Sequence, residues 1–592
     1  MTVQGWFQIV FYVVVLFALA PLLGNYMAKV YTDGSFLLGR VLGPVERFTY
    51  RVLRVNPNND QNWKQYARSL IIFSFAGWVA LYVILRTQSV HPLNPQGFKA
   101  APWDVTLNTT SSFLTNTNWQ YYGGETTLSY FSQMFGLAVQ NFLSAGVGIV
   151  TVIALIRGIT RRSGNGLGNF YKDLVRTLLY VLLPIAFIAA LVLVSQGVID
   201  NFSHYLTTSG FDGNSASLAL GPVASQESIK ILGTNGGGFF NANSAMPFEN
   251  PTGFSNLVQM LMILLIPVGL TFTYGKMVGR RRQGYAILAA MMVLFAGGVA
   301  VAYAAEAHGS PAQHAAGLHT AAYKGSTGGN LEGKEQRFGI ANSALYNTLS
   351  TDTSCGCVNA SLESYTGIGG LVPFSNLSVS EVIFGGVGTG LYSMLLFVII
   401  SVFIGGLMVG RTPEFLGKKI EAREIKLAAL GSLFTPLFVL LASSVAVADP
   451  SGRASISANA LTAAGKHAPQ GFSESLYAYL SQANNNGSAF AGYTGFIQPN
   501  AGNIGSHGVR FADIAGSLTM IFARYAPIIL VLAIAGTLAG KKVAPAGLGT
   551  MRTDNATFVV LLIGVIILVG ALTFFPALLL GPIVQGLTPH LY

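Results

Sequence analysis

The chain has 592 residues, 51% of them hydrophobic and only 10% charged, with a mean hydropathy of +0.52. Soluble domains carry roughly 25% charged residues, so this composition excludes an ordinary soluble protein and points to lipid as the main solvent. The formal net charge of +11 follows from membrane topology, as set out next, and gives no support to nucleic-acid binding.

In chain order, ten apolar runs are long enough to cross a hydrocarbon core, which needs about 20 helical residues. They lie near 5–25, 67–86, 133–156, 174–196, 256–275, 283–303, 383–408, 427–447, 517–538 and 557–580. The first, Gly5 to Asn25, is followed by Lys29 and preceded by no basic residue. A secretory signal places its positive charge first, so this run reads as a retained helix with the N-terminus outside. Alternating from there, the inner segments 26–66, 157–173, 276–282, 409–426 and 539–556 hold most of the Lys and Arg. The short ones, Lys276 to Arg282 and Arg411 to Lys426, weigh most, because basic residues favour the cytoplasmic side. The acids concentrate outside. There they either form a negative vestibule that gathers cations or are simply solvated.

Each of the four large outer segments repeats one pattern: a Ser-led stretch able to form a short helix, a run of small polar residues, and a return to apolar sequence. The stretches begin at Ser111/Ser112, Ser228, Ser343 and Ser473, and the runs are Thr115–Gln120, Gly233–Gly238, Thr353–Val358 and Asn484–Ala489. Asn118, Gly236, Gly356 and Gly487 are equivalent positions, 118, 120 and 131 residues apart. The predicted fold is therefore an all-α integral membrane protein of about ten transmembrane helices. It contains four helix–re-entrant loop–helix repeats, over 67–173, 174–282, 283–426 and 427–556. Segment 1–66 adds an N-terminal helix and a cytoplasmic stretch, and 557–592 adds a C-terminal helix.

Non-helical backbone survives at membrane depth only where it lines a cavity or is buried in protein. Small residues let such backbone turn inward, glycine tolerates positive φ, and a short helix ending there aims its negative end at a cation. Rings of carbonyls are how potassium filters replace a hydration shell. The candidate ion-binding residues are Asn116, Thr117 and Asn118 in the first loop, Thr234, Asn235 and Gly236 in the second, Ser354, Cys355 and Gly356 in the third, and Asn485, Asn486 and Gly487 in the fourth. No Asp or Glu lies among them, so backbone carbonyls are the expected ligands. Gln120 follows the first run, where it either braces the loop or faces the vestibule. One such run alone would read as a surface turn; four in register argue otherwise.

Gly233-Thr-Asn-Gly-Gly-Gly-Phe-Phe-Asn-Ala-Asn-Ser-Ala-Met-Pro-Phe-Glu-Asn-Pro251 and Thr115-Asn-Thr-Asn-Trp-Gln120 closely resemble the KdpA family, the potassium-binding subunits of the bacterial Kdp transport ATPase. So do Glu381-Val-Ile-Phe-Gly-Gly-Val-Gly-Thr-Gly-Leu-Tyr392, Gly410 to Lys419 and Ala483 to Gly492, and the match runs from the first span to the tenth. The resemblance implies a potassium-channel-superfamily arrangement in a bacterial plasma (inner) membrane, with both termini outside. Extracellular K+ would bind in the four-loop filter. A P-type ATPase subunit, KdpB, would hydrolyse ATP, with KdpC and the small KdpF completing the complex. The ion would pass sideways toward KdpB within the membrane.

The chain itself holds no Asp-Lys-Thr-Gly run and no Gly-x-x-x-x-Gly-Lys-Ser/Thr loop, so it is expected neither to bind nucleotide nor to hydrolyse ATP alone. Gly385, Gly386, Gly388 and Gly390 lie in an apolar run; they either break the seventh span into a loop under the filter or let helices pack closely. Arg524, placed about seven residues into the ninth span, either limits ion flow beneath the filter, as the resemblance suggests, or is structural. Cys355-Gly-Cys357 departs from the expected Cys-Gly-small pattern. A bridge there would be strained, and the thiols are expected to pack as small apolar groups. The outer loop 305–335, with scattered His308, His314 and His319, reads as mobile and without chemistry. The competing function is an autonomous potassium channel or ion-coupled uptake protein of the same superfamily.

Overall fold

The computed structural model describes residues 1–209, 215–323, 327–380, 382–456, 470–497, 507–545 and 550–589; Glu381 lies outside them. The helices, in chain order, are α1 (Val3–Tyr31), α2 (Leu37–Val52), α3 (Trp63–Arg86), α4 (Trp103–Leu114), α5 (Ser132–Thr160), α6 (Phe170–Ser195), α7 (Val223–Leu232) and α8 (Gly253–Met277). They continue as α9 (Arg281–His308), α10 (Gly339–Asp352), α11 (Gly367–Ser378), α12 (Thr389–Met408), α13 (Ala422–Ala448), α14 (Gly471–Ala483), α15 (Arg510–Ala539) and α16 (Ala556–Leu578). Ten of these, α1, α3, α5, α6, α8, α9, α12, α13, α15 and α16, are long and apolar enough to span a membrane. Strands are confined to small antiparallel hairpins such as Leu206–Ser209 with Ser215–Leu218, where Leu206 lies opposite Leu218.

Local sequence starts these helices in ordinary ways. Asn62 caps α3 by accepting from the backbone N–H of Lys64 and Gln65, and the Gln65 side chain reaches back to Asn62, which satisfies donors that a helix end leaves open. Thr252 and Ser255 do the same for α8. Burial then sorts the spans into two rings. Over their most apolar stretches, α5, α8, α12 and α15 are 61–83% buried, whereas the other six spans are 22–44% buried. The four spans that follow the loops therefore form the inner ring, and the rest face lipid.

Between the rings stand four short helices, α4, α7, α10 and α14, almost wholly buried although rich in polar residues such as Asp104, Asn108, Glu227, Asn347 and Gln482. They correct two expectations. The helices begin at Trp103, Val223, Gly339 and Gly471, between eight and two residues before the serines proposed as their starts, so Ser111 and Ser112 lie in the last turn of α4. The seventh span does not run from 383: α11 ends at Ser378, the chain leaves helical geometry, and α12 begins only at Thr389.

The loop before Gly339 is also corrected, since it is anchored by buried charge. Lys334 Nζ lies 2.6 Å from Glu306 Oε2 with both side chains buried, and Glu306 also accepts from Thr366 N and Oγ1 and from Asn330 Nδ2.

Candidate functional site: a ring of four loops

Each short helix runs straight into one of the four loops. In three of them the central backbone N–H bonds the carbonyl five residues back: Thr117 to Ser112 at 2.9 Å, Asn235 to Lys230 at 3.0 Å and Asn486 to Ser481 at 2.9 Å. In the third loop the Asn486 side chain takes that acceptor, donating to Ser350 O at 2.8 Å and to Thr353 O at 2.6 Å.

Backbone conformation repeats as well. Asn116 and Asn118, Thr234 and Gly236, and Asn485 and Gly487 have positive φ, while the residue between each pair does not. Alternating right- and left-handed residues can bring successive carbonyls to one side of the chain, the arrangement that carbonyl-lined potassium filters need. Non-glycine residues adopt positive φ at a cost, and Asn bears it best, which explains the Asn-rich composition. The third loop departs: Gly356 has φ +68°, but Ser354 is not left-handed.

The loops are stitched into a ring by their own amides. Asn116 Nδ2 donates to Thr234 O at 2.9 Å and Asn118 Nδ2 to Gly236 O at 3.2 Å. Ser354 Oγ donates to Asn484 O at 3.1 Å, and Asn485 Nδ2 to Thr117 Oγ1 at 3.0 Å. The second and third loops meet where Cys357 Sγ contacts Asn243 Oδ1 at 2.8 Å and Ser244 Oγ at 2.9 Å. At the centre, a Cβ built on Gly236 would fall within 3.1 Å of the carbonyl oxygens of Thr117, Cys355 and Asn486 together. The equivalent positions on Gly356 and Gly487 would meet Asn486 O and Thr117 O. Backbone oxygen from three loops thus converges on the glycine of the other.

Above the ring opens a cavity of about 430 Å³, lined in part by Asn118, Gln120, Gly237, Gly356 and Gly487. Among its described lining residues none is charged. Gln120 both lines this cavity and braces the second loop, accepting from Gly238 N at 2.9 Å.

The charges lie behind the loops. Lys230 is buried between Glu227 and Glu249, and its backbone carbonyl holds Asn235. Burial would lower the Lys230 ammonium, but the surrounding acidic groups outweigh it and keep it protonated. Burial pushes Glu227 up, with Lys230 opposing. Sequence reasoning missed this knot because Glu249 joins the i, i+3 pair Glu227–Lys230 only through the fold. Cys355 and Cys357 are free and buried. Cys357 is hydrogen-bonded, also to Tyr346 at 3.2 Å, and is therefore no mere apolar filler.

Below the ring, the break before α12 passes directly under the loops. Gly385 N donates to Asp352 O at 2.9 Å, Gly386 N to Ser354 Oγ at 3.1 Å and Val387 N to Thr234 Oγ1 at 3.0 Å. Positive φ at Gly385 and Gly388 permits the turn, and a Cβ on Gly390 or Gly388 would strike the backbone of Phe384 or Gly148. Arg524 joins this layer from the middle of α15: a Cβ on Gly148 would lie 3.3 Å from its guanidinium and closer still to Val387 O. The arginine is 3% exposed, forms no ion pair among the described residues, and leaves Nη1 without a hydrogen-bond partner. It is neither snorkelling nor salt-bridged.

Two concentric helix rings around four re-entrant loops define an all-α, multi-pass membrane protein of channel-like design. The chain belongs to the KdpA family, described as the potassium-transporting ATPase A subunit, whose model matches residues 10–587. It is 52% identical over 587 residues to the potassium-transporting ATPase potassium-binding subunit of Methylobacterium nodulans, covering 99% of this chain and 98% of that one. It is 50% identical to the subunit of the same description from Sorangium cellulosum, covering 99% of both chains. Among solved structures, the potassium transporter TrkH from Vibrio parahaemolyticus matches with a TM-score of 0.49 and 13% identity, over 79% of this chain and 84% of that one.

Proposed function

We propose that the four loops bind K+ through backbone carbonyls as the selectivity filter of an ATP-driven potassium importer, and that the ion is then delivered within the membrane to a P-type ATPase subunit. The observation that carries this reading is the convergence of Thr117, Cys355 and Asn486 carbonyls on Gly236, in a ring with no charged side chain at its mouth. Carbonyl rings suit a weakly hydrated monovalent cation, because neutral dipoles can replace its water without binding it irreversibly. The candidate residues in the loops supply the ligands, Gln120 supports the second loop, and the Gly385–Gly390 break with Arg524 forms the layer the ion meets next.

The family membership and the relatives' names support an ATPase partner; in our reading that partner is a KdpB-like subunit that hydrolyses ATP, with KdpC and KdpF completing the complex. The Lys/Arg-rich short loops favour the cytoplasmic side, which supports an inner-membrane location with both termini outside. The test is purification of the chain with its native neighbours. A copurifying polypeptide whose ATPase is stimulated by K+, with none in the isolated chain, is the expected result. Potassium flux by the isolated chain, with no ATPase partner, would overturn the pump reading in favour of an autonomous channel.

A further inference from the structure

The span-free helix α2 carries two stripes that no described residue of the chain covers. Leu37, Val41, Val45, Phe48 and Val52 recur at helical spacing and are 44–74% exposed. Beside them, Arg40, Arg47 and Arg51 form a second exposed stripe, with no ion pair among the described residues. The opposite face is polar and docked. Glu46 accepts from Arg176 Nε at 2.8 Å, from Tyr180 OH at 2.5 Å and from Tyr50 OH at 2.8 Å. Phe36, just before the helix, sets its ring edge-on to Tyr26 and Tyr180 at 5.8 and 5.0 Å.

These contacts fix the depth of α2. Arg176 and Tyr180 lie about 9 and 15 Å along α6 from Phe170, at 1.5 Å per residue. Because α6 has 26 residues and a hydrocarbon core takes about 20, Arg176 stands at the edge of the core on the Lys/Arg-rich face and Tyr180 about one turn inside it. An apolar stripe held at that depth, with arginines along one flank, is the pattern of a helix lying in the interface plane. Arginine matches phosphate by charge and by paired donors, and basic residues at such a surface attract anionic lipid.

We propose that α2 is an in-plane anchor, its Leu37–Val52 stripe immersed in the acyl boundary and its Arg40, Arg47 and Arg51 stripe binding the headgroups of anionic phospholipid. The anchor would hold the inner end of α6 at a set depth through Glu46 and that of α1 through Phe36 against Tyr26.

Because both native cysteines are buried, a Phe48→Cys variant can be labelled selectively with a fluorophore. The labelled full chain is reconstituted, with and without its copurifying neighbours, in phosphatidylcholine vesicles with or without phosphatidylglycerol. Quenching by nitroxide-bearing lipid is compared with quenching by aqueous iodide. The expected result is lipid quenching that increases with phosphatidylglycerol. The triple variant Arg40→Gln, Arg47→Gln, Arg51→Gln should lose that increase and gain iodide quenching. Iodide quenching in every vesicle, or lipid quenching indifferent to phosphatidylglycerol, overturns the proposal. So does protection from both quenchers once neighbours are present, since a protein partner would then occupy the face.

Discussion

The carbonyl oxygen of Thr117 stands 3.1 Å from the position a Cβ would take on Gly236, and the carbonyls of Cys355 and Asn486 stand closer still. A side chain at Gly236 must therefore displace at least one oxygen of the ring. It must also bear φ +76°, which costs an L-residue about 1–2 kcal/mol. Gly236→Ser should weaken discrimination among potassium, rubidium and ammonium by about a decade, equivalent to about 1.4 kcal/mol, while the protein still assembles. The measurement is stimulation of the complex's ATPase by each cation. An unchanged ranking with unchanged half-saturating concentrations would remove Gly236 from the ion path.

The side chain of Thr117 has a different part from its carbonyl. Its hydroxyl bonds Thr115 Oγ1 at 2.8 Å and accepts from Asn485 Nδ2 at 3.0 Å, so it tensions the first loop against the fourth. Thr117→Ser keeps both bonds and loses one buried methyl, worth about 0.8 kcal/mol. Half-saturation by potassium should then move less than tenfold. Thr117→Val should move it further, since Asn485 loses its bond to the first loop. Abolished binding in the serine variant would argue that the side chain, not the backbone, is the ligand.

The spans and the central glycines were legible in the sequence because lipid exposure demands long apolar runs and an ion path demands small residues at fixed intervals. The helices between them were misread for a physical reason. Buried entirely in protein, α4, α7, α10 and α14 carry Asp104, Glu227, Asn347 and Glu474, so no apolar run marked their first turns and only their starts were misplaced. The α11–α12 break was one of two readings that Gly385, Gly386, Gly388 and Gly390 allowed, and only its extent to Thr389 was hidden, because glycines change backbone direction without changing polarity. The pairs Lys230–Glu249 and Lys334–Glu306 join residues that are far apart in sequence, and neither spacing nor composition announces such partners.

The Lys230 knot should behave as a buried ion cluster. Lys230→Met leaves Glu249 without its cation and the Glu227 carboxyl without its close partner, and should destabilise the protein by about 3–5 kcal/mol, read as a fall in unfolding temperature. Burial raises Glu227 above its ordinary 4.5, so the folded protein holds that proton more tightly than the unfolded chain. Its contribution to stability is complete below pH 4.5 and is lost as pH rises through the raised value. Glu227→Gln should flatten that part of the stability–pH curve. A slope identical to that of the native chain would mean Glu227 ionises as freely when buried as when exposed.

Arg524 offers the sharpest test of the layer beneath the ring. Its guanidinium is buried, has an unpartnered Nη1, and adjoins Gly148, which in turn abuts Val387 O. Val387 is bonded to Thr234 in the second loop, so the cation stands close to the route downward from the ring. At roughly 8 Å and an effective dielectric of about 20, two unit charges repel by about 2 kcal/mol, enough to slow passage about thirtyfold. Arg524→Gln should therefore raise passive potassium flux through the reconstituted full chain by about tenfold or more, while Arg524→Lys, which keeps the charge, should hold it low. Thermal unfolding of both variants separates this from a structural role, since a merely structural arginine would lower stability in the glutamine variant without opening a leak. Unchanged flux in Arg524→Gln would remove the arginine from the control of ion movement.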